Sequence, residues 1–316
     1  MDALVVENLK KMYDKNNGIE NVNFRVRKGT IHALLGNNGA GKSTTMKCIM
    51  GILFPDSGKM EVLGQELVKN DPNIKANIGY CPELPAFPKN LTGKECMEAY
   101  GYMKGIPKFD LRTEVPDLLE KVDLLNVSGR KVSSYSRGLL QRLDLAVAML
   151  GKPGLLILDE PTSGLDPSSA AHFRELVRNL VSGGQTVLLS DHRLSEVEKI
   201  CSEVTIINQG KTLLSSSISD LLNRRRTVFR YHGMFSSLND NVVREVSDIP
   251  GVLRVEKVEG VDNKLFIETR DGDLFKSEIY RWASASGIVI YSLEEIRESL
   301  EDIFLSMVHG SDDRQD

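Results

Sequence analysis

One segment of eight residues constrains the fold of this chain more than any other. From Gly36 to Ser43 it reads Gly-Asn-Asn-Gly-Ala-Gly-Lys-Ser, which follows the pattern G-x-x-x-x-G-K-[ST] at every fixed position. The apolar run Ile31 to Leu35 precedes it, and a helical pattern from Thr44 to Met50 follows. Glycines let backbone N–H groups curl around an anion, and the amino end of a helix adds a positive dipole. The segment therefore predicts a phosphate-binding loop between a strand and a helix.

The side chains of this loop have separate predicted roles. Lys42 brings a positive charge to the β and γ phosphates of a nucleotide, and Ser43 supplies a hydroxyl to Mg²⁺. A glycine-rich turn that merely precedes a helix is the alternative, and the correct pattern on both sides of the loop disfavours it. The predicted nucleotide-binding residues of the loop are Gly36, Asn37, Asn38, Gly39, Ala40, Gly41, Lys42, Ser43 and Thr44.

An apolar strand that ends in two carboxylates forms the second motif. Leu155 to Leu158 is apolar, and Asp159 and Glu160 follow it directly. Asp159 fits a partner of Mg²⁺ that acts through water, because Mg²⁺ retains several waters in proteins. Glu160 is placed to orient an attacking water or to accept its proton. Two acids solvated at a strand end are the alternative, which the phosphate-binding loop disfavours.

His192 follows a further apolar strand, Val187 to Ser190. Ligands of open α/β sheets bind beyond the carboxyl ends of the strands, so His192 is in a position to hydrogen-bond the γ phosphate. The spacing alone leaves a purely structural histidine as the alternative.

Composition and charge exclude several classes of function. The 316 residues carry 40 Lys and Arg against 44 Asp and Glu, a net charge of −4, which argues against a general nucleic-acid binder. The amino terminus lacks the pattern of a signal peptide, and no apolar run reaches the roughly 18 residues that cross a bilayer. If the protein acts at a membrane, another chain must therefore span it. The four cysteines form no C-x-x-C pair, and we expect reduced, mostly buried thiols.

Residues 3–215 alternate short apolar runs with longer amphipathic ones, which predicts a largely parallel sheet covered by helices. The front part, Ala3 to Arg27, is more typical of antiparallel strands. The predicted buried strands are Val26 to Leu35, Leu155 to Leu158, Thr186 to Leu189 and Val204 to Ile207. The predicted helices are Lys42 to Leu53, Gly138 to Leu150, Ser168 to Val181 and Leu194 to Ile200.

A change of composition near Ser215–Ser217 predicts a domain boundary, with one domain at 1–217 and a smaller one at 218–316. The pattern of the smaller domain is β-α-β-β-α-β, the order of a ferredoxin-like α+β unit. A last helix, Leu293 to Met307, is predicted from the helical spacing of its apolar residues. The predicted elements before it are Thr227–Tyr231, Val242–Ser247, Val252–Val258, Lys264–Thr269, Leu274–Ala285 and Ile288–Ser292.

Taken together, the motifs of residues 3–215 resemble those of the ATP-binding subunits of ABC transporters. Tyr13 occupies the place of the family's aromatic residue that stacks on adenine. Tyr135 to Leu139, Tyr-Ser-Arg-Gly-Leu, is similar to the family's signature motif, usually L-S-G-G-Q. Pro161 to Asp166 matches the loop that touches the partner subunit, and His192 matches the family's switch histidine. The resemblance implies a P-loop NTPase fold with a mixed sheet and a helical subdomain at about residues 84–150.

The resemblance also implies that the active unit is a pair of ATPase subunits. Ser136 and Gly138 begin a helix whose N–H groups would face the γ phosphate of ATP held by the opposite subunit. Asp166 would lie at the same boundary. Glu83 stands where the family usually has a glutamine near Mg²⁺, and it adds a charge that glutamine lacks. Neither site is complete in one chain, and the second subunit is either a copy of this chain or a closely related ATPase.

Three segments are similar to the ATPases of ABC-2-type transporters, which are mostly exporters: Tyr80–Glu83, Tyr135–Gly138 and Ser299–Phe304. This likeness implies a Mg²⁺-dependent ATPase that binds an integral-membrane permease and lies peripherally on the cytoplasmic face of the membrane. The segment 83–105 is expected to receive a helix of the permease, or else to cover the subdomain's own core. The cargo stays open, because cargo selection resides in the permease.

Three other functions are alternatives to this one. A soluble ABC ATPase acting on nucleic acid or ribosomes is disfavoured by the acidic balance and the single set of motifs. A non-hydrolysing regulatory subunit is disfavoured because Glu160 and His192 are both present. The ATPase of a metalloenzyme-maturation complex remains an alternative of similar sequence pattern.

Overall fold

A computed structural model of the protein describes residues 1–14, 17–67, 72–223, 228–296 and 299–303. The described chain divides into two compact units, Met1–Ile218 and Ser219–Ile303. None of the helices in these ranges is long and apolar enough to cross a membrane. The four cysteines are buried and unpaired, as the sequence predicts.

The strands of the first unit run in chain order from the amino terminus to the unit boundary. They are β1 (Asp2–Met12), β2 (Gly18–Arg27), β3 (Ile31–Leu35), β4 (Ser57–Val62), β5 (Gln65–Glu66), β6 (Ile78–Cys81), β7 (Leu155–Asp159), β8 (Thr186–Asp191), β9 (Glu203–Asn208) and β10 (Lys211–Ser217). The α-helices that accompany them are α1 (Lys42–Ile49), α2 (Pro72–Ala76), α3 (Gly93–Met103), α4 (Lys108–Lys121), α5 (Arg137–Met149), α6 (Pro167–Ser182) and α7 (Leu194–Ile200).

These strands form two sheets. The larger has the order β10-β9-β3-β8-β7-β6, and all its described pairs are parallel except β9 with β10. Every residue of β3 and β8 is buried, as in a sheet covered on both faces. The smaller sheet has the order β2-β1-β4-β5 and is antiparallel, which confirms the prediction for the front of the chain.

The register of the larger sheet brings the predicted motifs to one edge. Leu35, the last residue of β3, pairs with Asp191 at the end of β8. Asp159, the last residue of β7, pairs with Ser190 of β8. Because β3, β8 and β7 are neighbours and parallel, the residues that follow them lie together at the carboxyl edge of the sheet.

Two predicted elements of the first unit are wrong in extent. The predicted strand Val26 to Leu35 is two strands in different sheets, since β2 ends at Arg27 and β3 begins at Ile31. Between them Gly29 has a φ of +70°, a left-handed conformation that turns the chain. The helix predicted to reach Leu53 ends at Ile49, and Gly51, at a φ of +64°, follows its cap.

The second unit is a four-stranded antiparallel sheet, against which two helices pack to form one core. Its elements are a helix α8 (Ile218–Asn223) at the boundary, then β11 (Phe229–Phe235), α9 (Asp240–Ser247), β12 (Val252–Lys257), β13 (Lys264–Thr269), α10 (Gly272–Ser286) and β14 (Ile290–Ile296). The strand order β12-β13-β11-β14 is that of a ferredoxin-like unit, as predicted. Its core contains Tyr231, Phe235, Phe275 and Ile279.

The predicted terminal helix is wrong at its start. Leu293 to Ile296 belong to β14, where Leu293 pairs with Gly233 of β11 and packs against the core of the second unit. The spacing of Leu293 and Ile296 is that of a helix, and pairing with β11 in the sheet overrides it. Residues 300–303 are helical, with Leu300 and Ile303 buried. Phe304 and Met307 lie outside the described residues.

Candidate active site

The phosphate-binding loop has a backbone that only glycine permits at two positions. Gly41 has a φ of +109°, and a Cβ added there would lie 2.4 Å from Cγ2 of Ile19. Gly39 has a φ of +83°, yet an added Cβ would meet no atom within 4 Å, so the space beside it is open. The loop is therefore tight against the protein at Gly41 and open at Gly39, where a phosphate group could approach the backbone.

The side chain of Lys42 crosses the base of this loop. It is buried, and its Nζ donates to the carbonyl oxygen of Gly36 at 2.8 Å and to that of Asn37 at 3.4 Å. The same Nζ lies 4.0 Å from Oε1 of Glu160. A buried ammonium group needs anionic partners, and one carboxylate at this distance leaves room for the charge of a phosphate.

Helix α1 presents a free amino end next to the loop. Its N-cap residue is Gly41, which has no side chain to bond the first N–H groups of the helix. Thr45 Oγ1 donates to the carbonyl oxygen of Gly41 at 2.9 Å and so fixes the first turn, while Ser43 is exposed. The uncapped N–H groups and the helix dipole suit an anion, as predicted from the sequence pattern.

Two carboxylates stand beside the loop, and one serine joins them. The hydroxyl of Ser190 donates to Oδ1 of Asp159 at 2.6 Å and accepts from the backbone N–H of Glu160 at 3.0 Å. Glu160 has a φ of +43°, which is unusual for a residue with a side chain. This conformation turns the chain at the end of β7, and the two acids have different partners: Asp159 bonds Ser190, while Glu160 faces His192 and Lys42.

His192 and its neighbours continue the site from the end of β8. Nδ1 of His192 lies 3.0 Å from Oε2 of Glu160. Oδ1 of Asp191 accepts from the backbone N–H groups of His192 at 2.8 Å and Arg193 at 2.9 Å, which fixes the turn after β8. The guanidinium of Arg193 also donates to Oγ1 of Thr162, in the loop that follows the acids.

Burial raises the pKa values of two groups near the end of β6, Tyr80 and Asp144. The pKa of Tyr80 is raised to about 12, chiefly by burial and then by the charge of Asp159, which its hydroxyl contacts. Burial also raises the pKa of Asp144 to about 7, although a hydrogen bond with Cys81 acts in the opposite direction. Asp144 lies on α5, so this helix places a carboxyl group against the end of β6.

The signature segment, Tyr135–Leu139, lies at the amino end of α5. Ser136 is the N-cap of α5 and accepts from the N–H of Leu139 at 3.3 Å. A Cβ added at Gly138 would lie 2.9 Å from Oγ of Ser169, at the start of α6. Within the described ranges no hydrogen bond joins this segment to the phosphate loop. Asp166 is the N-cap of α6 and accepts from Ser169, so its carboxylate has a local bond in its own helix, and its role at a subunit boundary stays a prediction.

The remaining predicted residues lie near the surface. Tyr13 is 54% exposed, and its hydroxyl lies 3.4 Å from Oγ1 of Thr44, at the first turn of α1. Asn37 and Asn38 are exposed on the loop, and Glu83 is exposed two residues beyond β6. An exposed ring next to the phosphate loop has the surface that stacking on a base requires.

The oxygen donors of the site suit Mg²⁺ better than a transition metal. Among the described residues no group of three His, Cys, Asp or Glu side chains could hold a metal ion. The hydroxyl of Ser43 and the carboxylate of Asp159 are hard oxygen donors, and Mg²⁺ takes few protein ligands beside phosphates and waters. The residues present therefore fit a Mg²⁺ ion that arrives with a nucleotide.

Sequence patterns missed the residues that hold the acids and the histidine in place. Ser190, Asp191, Thr162 and Arg193 each bond a predicted site residue or its neighbour. The available signal was the polar pair Ser190–Asp191 at the end of an apolar strand, directly before His192.

Comparison with known proteins gives a family for this arrangement. The family model described as "ABC transporter" matches residues 19–163. A bacitracin transport ATP-binding protein of Bacillus licheniformis is 33% identical over 96% of this chain and 96% of its own length. A daunorubicin resistance ATP-binding protein of Streptomyces coeruleorubidus is 31% identical over 96% and 94%. A linearmycin resistance ATP-binding protein of Bacillus subtilis is 32% identical over 96% and 97%.

Solved structures that resemble this chain also come from ABC transporters. An ATP-binding subunit of an ABC transporter is 30% identical, with a TM-score of 0.63 over 70% of this chain and 92% of that one. A second structure, cbiO1 from Clostridium perfringens, is 23% identical with a TM-score of 0.64 over 78% and 94%, and shows the same fold.

Proposed function

The chain belongs to the ABC transporter family as an ATP-binding, ATP-hydrolysing subunit, and on that premise we propose that it powers a separate membrane permease of the ABC-2 type as an exporter. The observation that carries the proposal is the meeting of the phosphate loop, Asp159, Glu160 and His192 at one edge of the larger sheet. Transport and resistance proteins match this chain along nearly its whole length, which favours transport over nucleic-acid, ribosome or metalloenzyme-maturation roles.

The proposed chemistry assigns one task to each group. The loop backbone and Lys42 bind the phosphates, and the exposed ring of Tyr13 stacks on the base. Ser43 and Asp159 would hold Mg²⁺, with Glu83 as a further candidate, and this ion neutralises phosphate charge when it is bound. Glu160 accepts a proton from the attacking water, and His192, bonded to Glu160, orients this carboxylate and contacts the γ phosphate.

A second subunit would complete each site. Ser136 and Gly138 start α5, and Asp166 starts α6, so both helix ends could face a nucleotide held by another chain. Support comes from the finding that, among the described residues, these helix ends form no hydrogen bond with the phosphate loop of their own chain. ATP would close the pair of subunits and hydrolysis would release it, which is a population shift driven by the ligand.

The surface proposed for the permease includes part of α3 and the segment before it. Leu84, Tyr102 and Met103 are exposed, and Met103 is 80% exposed. Met97 on the same helix is fully buried, and the rings of Phe87 and Tyr100 meet edge to face at 5.7 Å. Some apolar residues of the segment 83–105 therefore serve the subdomain's own core, while three are available to a partner. The permease would hold this chain at the cytoplasmic face of the membrane.

Residues 218–316 are proposed as an accessory domain with no part in phosphate chemistry. The described second unit has its own core and contains none of the predicted site residues. Deleting it should alter the stability or regulation of the subunit pair more than hydrolysis at saturating ATP.

The direct test measures ATP hydrolysis, the pairing of subunits and the binding of a permease. Purified protein should hydrolyse ATP only with Mg²⁺, and its specific activity should rise with protein concentration as pairs form. Copurification from membranes should then identify the permease. Full activity of a strictly single subunit at every concentration would contradict the shared site, and a complex without a membrane protein would contradict the transport role.

A further inference from the structure

Ser190 is a buried polar residue in the middle of the larger sheet. It is completely buried on β8, between the strand that leads to the phosphate loop and the strand that leads to the acids. In register it pairs with Leu34 of β3 on one side and Asp159 of β7 on the other. The two residues before it, Leu188 and Leu189, are apolar and buried, so this hydroxyl is not there to meet solvent.

The direction of its two hydrogen bonds is determined by chemistry. The backbone N–H of Glu160 can only donate, so at 3.0 Å the Ser190 oxygen accepts. The hydroxyl proton is then free to be donated to Oδ1 of Asp159 at 2.6 Å, a short bond of the kind a charged acceptor makes. One hydroxyl thus holds the side chain of the first acid and the backbone of the second.

The bond from the Glu160 N–H to Ser190 is important because the backbone of Glu160 has an unusual conformation. A φ of +43° is sparsely populated for a residue with a Cβ, and surrounding contacts must hold it. The bond from the Glu160 N–H to Ser190 is such a contact, made at the residue whose Oε2 faces Nδ1 of His192 at 3.0 Å. Losing it would let the carboxylate of Glu160 leave His192.

We infer that Ser190 is a positioning residue for ATP hydrolysis, which sets Asp159 for the metal and Glu160 for the attacking water at the same time. The inference rests on the proposed function, because it assigns the two acids the roles given above. Ser190 itself touches neither nucleotide nor water in this scheme. Its effect passes through one carboxylate oxygen and one backbone N–H.

The test uses two substitutions that differ only in the hydroxyl. Ser190→Thr keeps the hydroxyl, and Ser190→Val has nearly the same shape as threonine without it; both are β-branched and suit a strand. Thr205→Val serves as the control, since it deletes another fully buried hydroxyl of this sheet, one that bonds Nε2 of His32 at 2.8 Å rather than the acids.

Three quantities are measured on the full chain. They are turnover of Mg-ATP, binding of Mn²⁺ by electron paramagnetic resonance with a non-hydrolysable ATP analogue, and binding of that analogue without metal. We expect Ser190→Val to lower turnover by about 10- to 100-fold and to weaken Mn²⁺ binding by about tenfold, the effect of losing a hydrogen bond to a charged group. Metal-free nucleotide binding should stay within about twofold of wild type, because the phosphate loop is untouched.

Ser190→Thr should stay within about threefold of wild type in turnover and Mn²⁺ binding, and Thr205→Val should do the same. Equal turnover and equal Mn²⁺ affinity of the Thr and Val variants would overturn the inference, whatever their stability. A wild-type protein that does not hydrolyse ATP would instead overturn the proposed function. The Mn²⁺ affinities of the Thr and Val variants would still test the role of Ser190.

Discussion

Nδ1 of His192 lies 3.0 Å from Oε2 of Glu160, so the residues that follow β8 and β7 form a hydrogen-bonded pair beside the phosphate loop. An ionised glutamate can only accept, so the Nδ1 of His192 carries the proton in this pair. The other ring nitrogen is then directed away from the glutamate. A phosphate oxygen can only accept, so Nε2 would contact one only when it also carries a proton. Oε1 of Glu160, in turn, faces Lys42 at 4.0 Å.

Glu160→Gln tests the assignment of the base. Glutamine keeps the size of the side chain and can still bond His192, but it cannot accept a proton from water. Turnover should fall by about 10²- to 10⁴-fold, the usual contribution of a general base, while ATP binding is retained and a closed pair of subunits accumulates. Steady-state hydrolysis and light scattering with ATP measure both effects. Glu175→Gln, at an exposed position on α6, is the control, and wild-type turnover in Glu160→Gln would remove Glu160 from the role of base.

Lys42→Ala tests the phosphate loop. The substitution removes the buried ammonium group and its bond to the carbonyl oxygen of Gly36. ATP affinity measured by calorimetry should fall by about 10- to 100-fold, and the rise in melting temperature that ATP produces should shrink accordingly. Lys47→Ala removes an exposed lysine from the same helix and should bind ATP normally. Equal affinities of the two variants would contradict the placement of phosphate at Lys42.

The parts of the fold that the sequence predicts are those in which local and tertiary signals agree. The buried strand Leu155–Asp159 and the helix Leu194–Ile200 have a clear period and clear ends. At Gly29 a turn separates β2, whose residues alternate between buried and exposed, from β3, which is wholly buried, and the two strands belong to different sheets. Leu293 and Ile296 have helical spacing, and only the pairing of Leu293 with Gly233 makes it part of a strand. Such pairings join residues far apart in the chain, and no local pattern encodes them.

Within the candidate site, too, the residues with a local sequence signal were predicted and those positioned by tertiary contacts were not. Lys42 and Glu160 were predicted because their chemistry requires a certain residue type at a certain spacing. Ser190 was not predicted, because its importance comes from a parallel pairing with Asp159 across two strands. Asp144 was not predicted either, since only the packing of α5 against β6 buries its carboxyl group beside Cys81. Groups that support a site from neighbouring strands are defined by tertiary structure alone.

The buried carboxyl group of Asp144 predicts a dependence of stability on pH. Burial raises its pKa to about 7 in the folded chain, above the ordinary value of about 3.9 in the unfolded one. Between about pH 4 and pH 7 the folded state therefore binds more protons, and the free energy of unfolding falls as the pH rises. Each pKa unit corresponds to about 1.4 kcal/mol, and 1 kcal/mol moves the melting temperature of a domain of about 150–250 residues by about 2–4 °C.

Asp144→Asn should remove this dependence, because asparagine stays neutral at every pH. The melting temperature of the variant should drop less than that of the wild type between about pH 5 and pH 8. Thermal unfolding followed by circular dichroism at the two pH values gives the comparison. Asp117→Asn, at an exposed position on α4, should follow the wild type, and an Asp144→Asn curve that also follows the wild type would contradict the raised pKa.

Ser136→Arg separates nucleotide binding from closure of the subunit pair. Ser136 is exposed at the amino end of α5, and the bond that its side chain accepts comes from Leu139 of the same helix, so this chain's own phosphate loop does not depend on it. An arginine there would fill the space in which the γ phosphate of the opposite subunit would lie. Each chain should therefore bind ATP within about threefold of wild type, while hydrolysis falls by about 10²-fold or more because only the assembled site is active.

The measurement combines calorimetry for ATP affinity with sedimentation of Glu160→Gln and of the double variant in the presence of ATP. Glu160→Gln alone should sediment as a pair, and adding Ser136→Arg should return it to a single subunit. Ser277→Arg, on an exposed face of α10 in the second unit, is the matched control and should leave the pair intact. If the double variant still formed pairs and Ser136→Arg alone kept full turnover, the signature segment would lie outside the hydrolytic site, and each chain would have to supply every group around the γ phosphate by itself.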